Sequence, residues 1–167
     1  MSCNSECFTN NCVCDTLLAI VEAQDKVDGP TGCTFSCDNA INELVGGVAN
    51  GGFNTIPIIL TCKNTCLPFV GVGGLIDPNP TPPVSGRVFE FPVSPIFRVN
   101  DVDPETCCAT LELLSTEDPI VVSPSFNPDP FEILNDLTGE VLEDTGSCIT
   151  VDLNCFCAVT CLSPITV

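Results

Sequence analysis

Cysteine is the residue type that dominates the chemistry available to this chain. There are 14 cysteines among 167 residues, and there is no histidine. Without an imidazole, Ser-His and Cys-His catalytic arrangements are excluded. A lysine beside a cysteine, as in Cys62-Lys63, is a weak substitute for an activating base. We therefore expect no enzymatic activity and no cofactor, and we expect the thiols to bond to each other or to a metal.

The spacing of the cysteines favours disulfides over a metal site. Structural zinc sites usually contain Cys-x2-Cys, in which a tight turn aims two sulfurs at one ion. The chain has no such pair; it has Cys-x-Cys at 12/14 and 155/157, and Cys-x3-Cys at 3/7, 33/37, 62/66 and 157/161. A Cys-thiolate metal-binding protein stays open as the alternative function.

The charge balance is strongly acidic and limits the partners. Aspartate and glutamate number 22 against four basic residues, which gives a net charge of −18. Nucleic acids and anionic lipids need basic side chains for neutralisation, so neither is expected as a partner. Copies of the chain also repel each other at low salt, so an assembly needs cations, shape complementarity or covalent bonds.

The N-terminal residues raise a question about the redox state of the thiols. Residues 1–14 have neither the basic start nor the apolar run of a secretory signal, and no stretch of about 18 apolar residues predicts a membrane span. We expect synthesis in a reducing cytosol, where thiols stay reduced. Disulfides would then form after that reducing power is lost.

The elements that position the cysteines are predicted to be mostly strands. Residues 1–14 are interpreted as a flexible Cys-rich arm, and 15–167 as a single β-rich domain. Asp15 resembles a helix N-cap, and 16–26 has apolar residues at helical spacing. Beyond it, many short apolar runs with 15 prolines and 12 glycines predict an all-β fold, an antiparallel β-sandwich or barrel-like domain with one short N-terminal helix.

Alternating patterns mark the individual strands. Residues 56–60 and 107–114 predict strands, with Ala109 and its alternate neighbours on one face. An Asp-rich turn is predicted at 100–105, a short helical turn near 39–44, and either a strand or a helical turn at 131–134. The clearest strand covers 149–161, where alternation places three cysteines on the apolar face, to staple or fill the core: Cys155, Cys157 and Cys161.

Three stretches of the C-terminal half resemble the CotY/CotZ/ExsY family of Bacillus spore coat and exosporium proteins. They are Ser-Pro-Ile-Phe-Arg-Val at 94–99, Cys-Ala-Thr-Leu at 108–111, and Cys-Ile-x-Val-Asp-Leu-x-Cys-Phe-Cys-Ala-x-x-Cys-Leu at 148–162. The last motif is the most specific. The Cys107–Cys108 doublet, the additional Cys-x3-Cys pairs and the acidity depart from the family pattern.

The resemblance implies a structural protein of the spore surface, in the coat or exosporium, made in the mother-cell cytoplasm. It implies self-assembly of a homo-oligomer into a two-dimensional lattice reinforced by intermolecular disulfides, together with other spore coat or exosporium proteins. On the motif positions it implies structural or cross-linking roles, and we take five cysteines as candidates for core positions or intramolecular disulfides: Cys108, Cys148, Cys155, Cys157 and Cys161. The candidates for bonds between subunits are those of the arm: Cys3, Cys7, Cys12 and Cys14.

Overall fold

A computed structural model of the protein describes residues 36–47, 52–77, 86–122 and 129–167. The helices in these ranges are α1 (Cys37–Gly47), α2 (Pro130–Asp136) and a 3-10 helix (Leu153–Cys155). The strands are β1 (Ile58–Cys62), β2 (Gly71–Val72), β3 (Leu75–Asp77), β4 (Val88–Glu90), β5 (Val93–Ser94), β6 (Phe97–Asp103), β7 (Cys108–Ser115), β8 (Glu143–Asp152) and β9 (Phe156–Cys161). The predicted arm and the predicted helix at 16–26 lie outside the described residues, and the division of the chain at residue 15 stays a prediction.

The strands form one five-stranded antiparallel sheet in the order β8-β7-β6-β1-β9, and two ribbons, β2–β5 and β3–β4. The predicted all-β, antiparallel class is confirmed. Pro57 directly precedes β1, where a residue without an N–H donor removes no ladder hydrogen bond. The predicted helical turn near 39–44 is also confirmed, and as α1 it extends over Cys37–Gly47.

The five-stranded sheet curls into a barrel-like arrangement. β8 and β9 stand at opposite ends of the strand order, yet a 3-10 helix of three residues joins them. In a flat sheet, four interstrand steps would separate these strands by roughly 19 Å. The chain between Asp152 and Phe156 reaches at most about 14 Å. The sheet therefore has to bend until its two edge strands approach each other.

The apolar faces of the strands meet inside this curled sheet. Leu111 and Leu113 on β7 are 1% and 0% exposed, and Phe97 on β6 is 0% exposed. Phe69, which follows β1, stacks on Phe97 with ring centroids 5.6 Å apart, and Phe156 meets Phe69 edge-on at 5.3 Å. Burial of Phe97 stabilises the fold by roughly 1.5–3 kcal/mol, and the half-buried Phe69 and Phe156 contribute less. The predicted alternation along β7 is confirmed, since the inner residues are those at 109, 111 and 113.

A second, smaller core lies on the outer face of the sheet. Asp129 caps α2 by accepting a 2.8 Å hydrogen bond from the N–H of Phe131, and Pro130 occupies the first turn, where its missing N–H costs nothing. The helix buries Ile133, and Leu137 just beyond it, against outward residues of the sheet that include Leu114. The 131–134 segment is thus helical.

Two predicted boundaries are wrong. The single strand predicted over 149–161 is two strands, β8 and β9, because the 3-10 helix interrupts it. The turn predicted over 100–105 begins later, because β6 continues to Asp103 through a bulge at Asn100. A bulge lets the strand accommodate one extra residue and resume pairing, so polar composition there does not end the strand.

Candidate functional site

Among the residues that the structure describes, one cysteine pair is bonded. Cys37 on α1 and Cys161 at the end of β9 form a disulfide with a Cα–Cα distance of 4.9 Å and a sequence separation of 124 residues. Cys161 is opposite Ile58 in the register of β9 with β1, so the bond attaches α1 beside the start of β1.

The other seven cysteines in the described part of the chain are free thiols. Five of them are exposed and two are half-buried. Six of the seven lie around the 3-10 helix, in a region that we call the thiol end: Cys62, Cys66, Cys107, Cys108, Cys155 and Cys157. The seventh, Cys148, lies on the outer face of β8.

The 3-10 helix joins the parts of the thiol end. The carboxylate of Asp152 accepts a 2.8 Å hydrogen bond from the N–H of Asn154, which starts the helix. The N–H of Leu153 donates to the carbonyl of Cys107 at 2.9 Å. The carbonyl of Cys155 accepts from the N–H of Lys63 at 2.8 Å. These backbone bonds bring the turn after β1 and the turn between β6 and β7 to the same place.

The turn after β1 brings three thiols together. The N–H of Cys66 donates to the carbonyl of Cys62 at 3.0 Å and closes the turn. The thiol of Cys157 donates to the same carbonyl with a 3.7 Å sulfur–oxygen distance. Cys62 is half-buried, whereas Cys66 and Cys157 are exposed. Two of these sulfurs are therefore open to an approaching molecule.

The turn between β6 and β7 is organised by Asp103. Its carboxylate accepts hydrogen bonds from the hydroxyl of Thr106 at 2.8 Å and from the N–H of Glu105 at 2.9 Å. The Thr106 hydroxyl, followed by the Glu105 N–H, lowers the pKa of Asp103 below its ordinary value, because both donors stabilise the charged form. This ionised carboxylate holds the turn that presents Cys107.

Two cysteines of the thiol end have left-handed backbone conformations. The φ angles are +56° at Cys66 and +57° at Cys107. A residue with a Cβ atom is less stable there by roughly 1–2 kcal/mol, and glycine is the residue that fits without this cost. Both positions therefore hold cysteine at a cost in backbone strain.

Cys148 lies apart on the outer face of the sheet. The side-chain amide of Asn100 donates to the Cys148 sulfur at 3.6 Å and to Glu112 at 3.2 Å. Cys108 points to the same face, but in the register of β7 with β8 it is four residues away from the Cys148 position. That is about 13 Å along the strands, too far for a bond between the two.

The structure separates the five cysteines of the C-terminal motifs. Cys161 is in the intramolecular disulfide, Cys108 is a half-buried thiol, and Cys148, Cys155 and Cys157 are exposed thiols rather than core residues. Cys155 and Cys157 leave the apolar face because the 3-10 helix and a bulge in the β1–β9 pairing shift the alternation. Cys62, Cys66 and Cys107, for which the sequence predicts no specific role, complete the thiol end.

No three cysteine, aspartate or glutamate side chains in the described ranges are grouped closely enough to hold a metal ion. Among the same residues, no helix is long and apolar enough to cross a membrane.

Comparison with known proteins identifies the family. Residues 1–164 match the family model of spore coat protein Z. The chain belongs to the spore coat protein Z family. It is 34% identical over 161 residues to spore coat protein Z of Bacillus subtilis (strain 168). The matched region covers 93% of this chain and 91% of that protein. No solved structure matches the chain.

Membership in the spore coat protein Z family confirms the resemblance drawn from the C-terminal motifs. It gives the chain a structural role in the spore coat and a location on the spore surface. A surface layer is exposed to an oxidising environment, in which free, exposed thiols form disulfides.

Proposed function

We propose that this protein self-assembles into an ordered lattice in the spore's outer layer, and that disulfides between copies reinforce the lattice. The observation that carries the proposal is the thiol end, where four exposed cysteines that form no disulfide within the described ranges lie around one short 3-10 helix: Cys66, Cys107, Cys155 and Cys157. The arm cysteines Cys3, Cys7, Cys12 and Cys14 are proposed as further links between copies and to other spore coat or exosporium proteins.

The charge of the chain explains why covalent links are useful. A net charge of −18 makes adjacent copies repel each other within a Debye length of about 8 Å at physiological ionic strength. A disulfide does not weaken with salt or dilution, so it holds copies together against this repulsion. The same charge keeps the reduced chains soluble before they are oxidised.

The backbone conformation supports the same proposal. If Cys66 and Cys107 served folding alone, glycine would fit their left-handed positions better. Replacing both by glycine should leave the fold at least as stable, since relief of roughly 1–2 kcal/mol of strain at each position offsets the roughly 0.4–1 kcal/mol that the greater freedom of the unfolded chain costs. Loss of cross-linking in such a variant would then be due to the missing thiols.

The experiment compares three sets of variants of the full chain after oxidation by oxidised glutathione. The first set replaces the four exposed cysteines of the thiol end. The two cysteines with left-handed backbone become glycine, Cys66→Gly and Cys107→Gly, and the other two become serine, Cys155→Ser and Cys157→Ser. The second replaces the four arm cysteines by serine. The third is Cys148→Ser, a matched control that removes an exposed thiol outside the thiol end.

The readouts are the ladder of oligomers on a non-reducing gel and ordered arrays in electron micrographs. We expect both of the first two sets to shorten the ladder, the control to leave it close to the natural protein's, and reductant to collapse it to monomer. A further variant combines the first two sets and lacks both the thiol-end and the arm cysteines. A ladder of unchanged length in this variant would overturn the cross-linking proposal. Absence of ordered arrays in the natural protein under every oxidising condition would overturn the lattice.

A further inference from the structure

Side-chain packing contributes little to the attachment of α1. Among its residues with described side chains, Ala40 is buried, at 4% exposure. The larger apolar residues Ile41 and Val45 are 51% and 71% exposed. The covalent bond from Cys37 to Cys161 is therefore a principal restraint on the helix.

A groove lies between α1 and the sheet. Its volume is about 360 Å³, and it is lined by Ile41 and Leu44 of the helix and by Ile56, Ile58 and Val99 of the sheet region. Apolar surfaces that do not touch across such a space lose the dispersion contacts of a close-packed core. The helix and the sheet thus face each other with apolar side chains, but apart from the Cys37–Cys161 bond their side chains do not pack closely across the groove.

We propose that α1 is exchanged between copies, so that Cys37 of one chain bonds to Cys161 of a second chain with the helix seated in the second chain's groove. The partner surface is a second copy of this chain, whose groove has the same lining and the same cysteine. Every contact that α1 makes with its own sheet is available on the neighbouring copy by identity, which makes domain exchange a low-cost route to association. The inference rests on the proposed function, because exchange requires copies that stand side by side.

The connection between α1 and the sheet limits the reach of the exchange. Six residues, 48–53, separate Gly47 from Asn54, whose N–H donates to the carbonyl of Ile165 at 3.0 Å and fixes the entry to β1. From Gly47 to Asn54 this connection spans at most about 25 Å. A tether of this length gives the helix an effective concentration at its own groove of the order of millimolar. Exchange is therefore negligible in dilute solution and competitive where copies are packed in a layer.

The bond forms in the same chemical step whichever chain supplies each sulfur. The thiolate of one cysteine attacks a disulfide of a low-molecular-weight thiol, and one thiol of that oxidant leaves. The second cysteine's thiolate attacks the resulting mixed disulfide, and the second small thiol leaves. The two cysteines lose two electrons and two protons in total, and the oxidant is reduced to two thiols.

The test uses the natural chain in two isotopic forms. Equal amounts of unlabelled and 15N-labelled protein are reduced, mixed, and oxidised with oxidised glutathione at a series of concentrations up to those that assemble. The oxidised protein is digested without reductant, and the linked peptide pair that contains Cys37 and Cys161 is measured by mass spectrometry. Complete exchange gives about half of these pairs with one light and one heavy partner, and the share falls towards zero on dilution.

Samples mixed after oxidation give the baseline. If the assembled protein shows mixed pairs no more often than this baseline, the exchange is overturned. The proposed function is read separately, from linked peptides between chains that contain thiol-end or arm cysteines. If these are present and the mixed Cys37–Cys161 pair is absent, the exchange alone fails; if all linked peptides between chains are absent, the proposed function fails as well.

Complementary variants give a second test. Neither Cys37→Ser nor Cys161→Ser can form the bond within its own chain. A mixture of the two contains one intact cysteine of each kind on different chains, so a linked Cys37–Cys161 peptide can form there between chains. We expect the peptide in the mixture at assembling concentrations and in neither variant alone. Circular dichroism in the far ultraviolet first checks that Cys161→Ser and Cys37→Ser both keep the natural sheet. If they do, absence of the linked peptide from the mixture overturns the exchange.

Discussion

Replacing Cys37 by serine should lower the free energy of unfolding by about 5 kcal/mol. The Cys37–Cys161 bond closes a loop of 124 residues. In the chain-entropy description, closing a loop of that length removes about 16 cal/mol/K from the unfolded ensemble, which is about 5 kcal/mol at room temperature. Because α1 buries little besides Ala40, the native state loses few contacts when the bond is absent. The unfolded chain therefore determines most of the effect.

Urea denaturation followed by circular dichroism measures this loss. Free thiols are first alkylated without reductant, so that the exposed cysteines cannot cross-link during the titration. At a slope of about 2 kcal/mol per molar urea, the transition midpoint should move down by roughly 2–3 M. Cys161→Ser should move it equally, and the double variant should be no less stable than either single one, because all three remove the same bond.

Cys155→Ser is the matched control. Cys155 is exposed and forms no disulfide within the chain, so this change should stay within about 0.5 kcal/mol. The reasoning would be refuted if Cys37→Ser lowered the free energy of unfolding by less than about 1 kcal/mol. It would also be refuted if the double variant lost the sum of the two single losses, since the bond could not then be restricting the unfolded chain.

Two further predictions concern the core and the β6–β7 turn. Gly71→Ala should destabilise the fold by about 1–3 kcal/mol in thermal unfolding, because its Cβ would lie 2.6 Å from Cε1 of the buried Phe97. Gly74→Ala, with open space at that position, should cost no measurable stability. Equal losses of stability in the two variants would contradict the close packing at Gly71. Thr106→Val should raise the pKa of Asp103 towards its ordinary value in an NMR titration, because the hydroxyl is the largest cause of the lowering. Because the pKa of Asp103 is lowered in the folded state, its ionised form stabilises the turn above the ordinary aspartate pKa. This stabilisation is lost as the pH falls through the folded-state pKa. A pKa of Asp103 unchanged by Thr106→Val would contradict the role of the hydroxyl.

The strand patterns of the inner sheet could be predicted from the sequence because burial imposes them. β7 is paired with a strand on each side, and its inner residues are all apolar, so alternation gives the correct faces. The all-β class follows from the same signal repeated along the chain. These are local consequences of a period of two residues.

The boundaries that failed depend on single polar residues. The carboxylate of Asp152 accepts a hydrogen bond from the N–H of Asn154, and the chain turns out of β8 at this point. The alternation of apolar and polar residues nevertheless continues through the turn in the sequence, so the sequence does not reveal it. Cysteine adds to this ambiguity, because it counts as apolar whether it is buried or exposed. Cys155 and Cys157 were therefore predicted on the core face, although they are exposed.

The thiol end could not be predicted, because its members come from separate parts of the chain. Lys63, next to Cys62, donates its N–H to the carbonyl of Cys155, and Leu153 donates its N–H to the carbonyl of Cys107. These backbone hydrogen bonds bring both cysteines to the 3-10 helix, and they carry no sequence signature. The pairing of Cys37 with Cys161 spans 124 residues and is one of very many connectivities that 14 cysteines allow. In each case the missing information is the curl of the sheet.

The state of the thiol end in assembled material tests the central claim most directly. Assembled layers are treated with one alkylating reagent under denaturing, non-reducing conditions, and then reduced and treated with a second, distinguishable reagent. Mass spectrometry then reports, for each cysteine, whether it was bonded in the layer. We predict that most copies carry the second label at Cys155 or Cys157, although both are free thiols in the single chain. The first label on every exposed cysteine of the thiol end would contradict the account, because the copies would then be held together without those sulfurs.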